Sequence, residues 1–140
     1  MAKRFYFASS LLSLIIGLAI YFFFRNLDIV LFEFLPKPCF LEGFFIPVKP
    51  SVFSSVLLYN LPDALWFLSG ILFLRFAWFH KPQWQNIYIA CFCAIALVLE
   101  LSQTIKIVPG TFDVMDLFFM ALIAFIEGFL YNTFFSRRMI

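Results

Sequence analysis

The sequence predicts an all-α membrane protein, a four-transmembrane-helix bundle with a long, partly apolar first loop. Three observations predict it. The mean hydropathy is +1.00, with 64% hydrophobic and only 13% charged residues, which is more apolar surface than a water-soluble fold of this size can hide. The apolar residues fall into four runs, each near the roughly 20 residues a helix needs to cross a bilayer. The ionisable residues gather at the ends of those runs, where a carboxylate avoids the ~2.5–3.5 kcal/mol it costs at the bilayer centre. The 23 Phe residues suit helix surfaces that face lipid. The length predicts a single domain over residues 1–140.

In the first run, Lys3 and Arg4 precede an apolar stretch from Phe5 to Phe24, closed by Arg25 and Asn26. It is as long as a full span and no small-x-small cleavage site follows, so it predicts a retained helix at about 5–24. From Arg25 to Val52, Pro36, Pro38, Pro47 and Pro50 break any long helix. The short apolar pieces there predict an interfacial or re-entrant lid. Pro62 and Asp63 suit the first turn of a second helix at about 62–79, which stops at His80-Lys81-Pro82. A third helix at about 87–103 follows a very short turn and forms an antiparallel hairpin with the second. The fourth runs at about 114–135 and ends on Arg137 and Arg138.

Charge and cysteine content exclude some classes. The net charge is +2 and the basic residues are scattered, so no stripe follows a nucleic-acid backbone. Cys91 and Cys93, two apart on an apolar helix, point to different faces and read as unpaired, lipid-buried thiols. A metal site there would need further ligands, and the sole His80 lies at the other end of the hairpin. Cys39, in the first loop, has no evident partner. Lys3, Arg4, Lys81, Arg137 and Arg138 fall at one membrane face, with Arg75 near it, against Arg25, Lys37, Lys49 and Lys106 at the other. That bias puts both termini on the cytoplasmic side of the inner membrane.

The candidate site lies at the opposite face, where the start of helix two, the end of helix three and the start of helix four converge. Three polar pairs meet there at i, i+3 spacing, each on one helix face: Asn60 with Asp63, Glu100 with Gln103, and Asp113 with Asp116. The blander reading of the first and third pairs is helix capping. Glu100 is different, because the macrodipole disfavours an anion at a helix C-terminus. It needs a proton, or donors such as Gln103, Lys106 or a ligand. Pro109-Gly110 predicts the sharp turn that brings Asp113 and Asp116 back toward Glu100.

Two charges lie deeper. Arg75 is twelve residues after Asp63 and Glu127 eleven after Asp116, so both lie about 17 Å from the polar face. They are candidates for a buried ion pair between helices two and four; the alternative is that Arg75 snorkels to the headgroups and Glu127 faces a polar gap alone. Ser69-Gly70 and Gly128 are small enough for close helix contact nearby.

Glu100-x-x-Gln103, a Pro109-Gly110 turn and Asp113-x-x-Asp116 opening the last helix resemble the signature of the VanZ-like family of small bacterial integral membrane proteins. Asn60-Leu61-Pro62-Asp63-Ala64-Leu65-Trp66 stands where that family carries a polar motif in an earlier helix, without the His or Lys usual there, and Met120 stands where the last helix often has Asn. The resemblance runs from the second helix to the end. It implies a bacterial cell-envelope protein, in a family named for a member linked to glycopeptide (teicoplanin) antibiotic resistance.

Three functions are open at this point. The first is binding of an amphiphilic or lipid-linked ligand by Asn60, Asp63, Glu100, Gln103, Asp113 and Asp116, with membrane lipid as the surrounding partner. The second is an intramembrane enzyme with Glu100 as general acid or base and Asp63 orienting a partner. No cofactor is expected, although Asp113 and Asp116 could hold a divalent cation. The third, an ion-coupled carrier relaying through Glu100 and Glu127, has few spans to work with.

Overall fold

The structure is a computed structural model and describes residues 2–24, 51, 58–108 and 112–135. These form four α-helices and no strand: α1 (Ala2–Phe24), α2 (Leu61–Ala77), α3 (Pro82–Thr104) and α4 (Val114–Leu130), the last continuing into a π-helical turn at Tyr131–Phe135. The predicted loop at 25–52, apart from Ser51, lies outside the described residues, as do Cys39, Pro109, Gly110, Arg137 and Arg138. Three segments are long and apolar enough to cross a membrane: Ala2–Phe24, Pro82–Thr104 and Val114–Thr133. The chain is thus a multi-pass membrane protein by length and composition. α2 has 17 residues, a rise of about 25 Å against a hydrocarbon core of about 30 Å.

Helix ends follow local chemistry. α2 ends just before His80-Lys81-Pro82, and Pro82 is also the first residue of α3, where its missing N–H would have had no partner. The helix therefore begins five residues before the expected 87, and the extra turn carries Gln85 and Asn86. The end of α3 closes on a left-handed Lys106, with φ 56°. Its N–H donates to the Gln103 carbonyl at 3.1 Å and the Ile107 N–H to the Ser102 carbonyl at 3.1 Å, the paired bonds of a Schellman ending. Lysine is strained there where glycine is not, so Lys106→Gly should raise stability by about 0.5–1 kcal/mol, read as an unfolding midpoint in detergent. A lower midpoint would mean that the Lys106 side chain does more than tolerate the turn.

α2 is the hub. It packs on α1, α3 and α4, while α3 and α4 barely touch each other. α1 runs antiparallel to α2: Phe7 meets Phe76 at 5.0 Å between ring centroids, and Tyr21 stacks on Trp66 at 5.6 Å. Between them, Ser10 and Ser69 exchange hydroxyl-to-carbonyl hydrogen bonds, each 2.9 Å. Reciprocal bonds of this kind satisfy polar atoms where lipid offers none and draw the backbones together. Gly17 allows the same closeness one end further on, since a Cβ there would stand 2.6 Å from the Trp66 ring. Gly17→Val should overpack this contact and cost about 1–3 kcal/mol, measured by unfolding in detergent; an unchanged midpoint would show that α1 can slide on α2. Gly70 seats the Phe92 ring of α3, whereas Gly128 borders open space and brings no helix close.

The polarity of the interior is inverted relative to a water-soluble fold. Among the described residues eight buried side chains are polar or charged and five are hydrophobic, while 29 large hydrophobic residues are exposed. On α3 only Gln85 and Glu100 are buried, and on α4 only Glu127. The helices turn their few polar groups inward and their apolar surface to lipid, as expected where the solvent is hydrocarbon.

Candidate functional site

Two buried polar layers cross the bundle, one near each end. α2 and α4 run parallel, so Asn60 stands beside Asp113 and Asp116 at one end, and Arg75 beside Glu127 at the other. α3 runs against both and supplies Glu100 to the first layer and Gln85 to the second.

In the first layer, Asn60 precedes α2 with helical backbone angles and makes no side-chain cap, so capping does not account for it. Its amide instead reaches across to α4, donating to Asp113 Oδ2 at 3.0 Å and to Asp116 Oδ1 at 2.8 Å. Asp113 does cap: its Oδ1 accepts the Met115 N–H at 2.9 Å, with the backbone extended as an N-cap requires. One carboxylate thus caps α4 with one oxygen and ties α4 to α2 with the other. The Asn60 amide and the Met115 N–H together hold the Asp113 carboxyl below the usual aspartate range, against a smaller opposing effect of burial.

Glu100 joins through the backbone. Its Oε1 accepts the Asp113 N–H at 3.2 Å, so among the described residues the donor that reaches it is neither Gln103 nor Lys106. The macrodipole at the end of α3 disfavours this anion, and the Asp113 N–H at the start of α4 offsets that effect. Asp63 and Gln103 sit half-buried, one turn along from Asn60 and Glu100 respectively. Among the described residues no group of three or more His, Cys, Asp and Glu side chains is arranged to hold a metal ion. Cys91, exposed, and Cys93, half-buried, are free thiols on α3.

The second layer centres on Arg75, which is 4% exposed beside Glu127 at 8% and Gln85 at 0%. Its Nε and Nη2 donate to the two carboxylate oxygens of Glu127 at 2.9 and 3.0 Å, a parallel, bidentate pair. Its Nη1 donates to Gln85 Oε1 and to Asn86 Oδ1, both at 2.9 Å, and Gln85 Nε2 returns a bond to the Arg75 carbonyl at 2.8 Å. The guanidinium also lies 3.6 Å over the Tyr131 ring. Such saturation is what a charge needs at this depth, and it leaves Arg75 no reason to snorkel. Gln85, Asn86 and Tyr131 escaped sequence reasoning. Two amides opening an apolar run, directly across a short turn from a membrane-embedded arginine, were the available signal.

No family model matches the chain, and no curated protein or solved structure matches it.

Proposed function

We propose that this chain is a VanZ-like protein of the bacterial inner membrane, with four spans, cytoplasmic termini and a partly apolar first loop over the site, which binds an amphiphilic or lipid-linked envelope ligand. The ligand's head is rich in hydroxyl, amide or ammonium donors and meets Asp113, Asp116 and Glu100, with Asp63 and Gln103 beside them. A role in glycopeptide (teicoplanin) resistance follows from that reading. The observation that carries it is the Asn60 amide held between Asp113 and Asp116, which joins residues of two motifs 53 and 56 positions apart into one acceptor-rich patch.

Mass spectrometry of the detergent-solubilised protein tests this reading. An amphiphile should copurify with the wild type and be lost from Asp113→Asn and Asp116→Asn variants that still unfold at the wild-type midpoint. Equal retention by those variants sinks it. A second reading, an intramembrane enzyme with Glu100 as general acid or base, is favoured by one feature: Glu100 is 7% exposed and anchored through one carboxylate oxygen. Under that reading Glu100→Gln keeps the bound molecule and abolishes its turnover. Under the binding reading no turnover exists to lose.

A further inference from the structure

A cavity of about 520 Å³ lies between α1, α2 and α4, about 17 Å along α4 from the acidic patch. α1 and α4 each rest on α2 and leave a groove between them. Its walls include Leu12 and Ser13 from α1, Leu72 from α2 and Ile126 from α4, and Glu127 and Tyr131 line it as well. Leu12 and Ile126 are 59% and 46% exposed, so the groove opens sideways toward the bilayer. An apolar space of this size inside a membrane is filled by hydrocarbon, because empty walls forfeit their dispersion contacts.

The Glu127 carboxylate in the wall selects among lipids. Both Glu127 oxygens accept from Arg75, but a carboxylate has about four acceptor sites, and Glu127 lines the groove. Four of the five Arg75 N–H donors point at Glu127, Gln85 and Asn86, the guanidinium plane is covered by the Tyr131 ring, and Arg75 is not among the residues lining the groove. A phosphate or carboxylate head entering the groove therefore meets an anion, with the cation's donors already turned elsewhere. A cationic head meets a carboxylate whose charge Arg75 already neutralises, so its desolvation has no net counter-charge to offset it. A neutral head that donates a hydrogen bond has neither penalty.

We propose that this groove is a binding site for an uncharged lipid alcohol drawn from the bilayer, with its tail between α1 and α4 and its hydroxyl donating to Glu127. The site is separate from the acidic patch and does not depend on the function proposed for that patch.

Photolabelling of the full chain in nanodiscs at neutral pH tests it, using diazirine-bearing dodecanol and the matching dodecanoate and dodecyl-trimethylammonium probes. The alcohol should label α1 and α4 peptides lining the groove roughly tenfold more than either charged probe, about the size of one hydrogen bond to a carboxylate. Ile126→Trp and Leu12→Trp fill the groove from opposite walls at exposed positions, and each should reduce this labelling to background. Val98→Trp, equally exposed on α3 at 62%, should leave it unchanged. Equal labelling by the three probes, labelling that survives both groove-filling variants, or no labelling of the groove by the alcohol would each overturn the proposal. Loss of ligand from the acidic patch would leave these results untouched, so the two sites fail independently.

Discussion

Arg75→Ala is expected to destabilise the bundle by about 3–5 kcal/mol, the range for removing one member of a buried, hydrogen-bonded ion pair. The loss comes mostly from what stays behind. Glu127 would be left at 8% exposure without the guanidinium on its two oxygens, and Gln85, fully buried, would lose the donor to its side-chain oxygen. Glu127→Ala should be comparably severe, since it leaves the buried guanidinium with the neutral partners Gln85, Asn86 and Tyr131 and takes its paired carboxylate away. The double variant Arg75→Leu with Glu127→Leu removes both charges together and should recover much of the loss, because an apolar pair of similar volume suits a lipid-facing interior. Denaturation in mixed micelles of the wild type, Arg75→Leu, Glu127→Leu and the double variant closes a double-mutant cycle and measures the coupling. A single-variant loss below about 1 kcal/mol would mean that water or headgroups reach the pair and that the buried geometry is not the populated one.

This pair also shows what the sequence could carry. Helical rise is constant, so the intervals from Asp63 to Arg75 and from Asp116 to Glu127 set equal depths on parallel helices, and depth alone brings the opposite charges together. The convergence of Asn60, Glu100, Asp113 and Asp116 at one end follows from the alternation of helix direction in the same way. Side-chain direction is a different matter. Capping and cross-helix bridging draw on the same residue types, Asn and Asp at helix starts, so nothing in the string of letters says that Asn60 bridges while Asp113 does both. Pro82 was equally two-sided: proline ends one helix and opens the next with the same fixed φ, and reading only the stop concealed Gln85 and Asn86. The close of α3 hid for another reason. Its left-handed residue is Lys106, a residue type with no preference for that conformation, and Pro109-Gly110 drew the eye three residues further on. Span count follows composition only coarsely, because α2, the hub of the bundle, has only 17 residues and carries more buried residues than any other of the four helices.

Asn60→Leu should cost about 2 kcal/mol, because it deletes two hydrogen bonds to carboxylates while keeping nearly the same volume at a site 4% exposed. The variant would leave Asp113 and Asp116 facing an apolar side chain across the α2 and α4 contact, and the Arg75 layer would carry more of the parallel register of those helices. Acid sensitivity identifies the cause. Asp113 is held below the ordinary aspartate range chiefly by the Asn60 amide, so its ionised form stabilises the fold in full above the unfolded value of about 3.9. That contribution disappears as pH falls through the lower, folded value. Wild-type protein should therefore lose stability on acidification from about pH 5 to about pH 2, and the loss should be shallower in Asn60→Leu, where only the Met115 N–H still favours the ionised carboxyl. Unfolding midpoints measured across that range in a non-ionic detergent give both slopes. Identical slopes would show that the amide does not govern this titration, and the cross-helix bridge would lose its standing as the element that assembles the acidic patch.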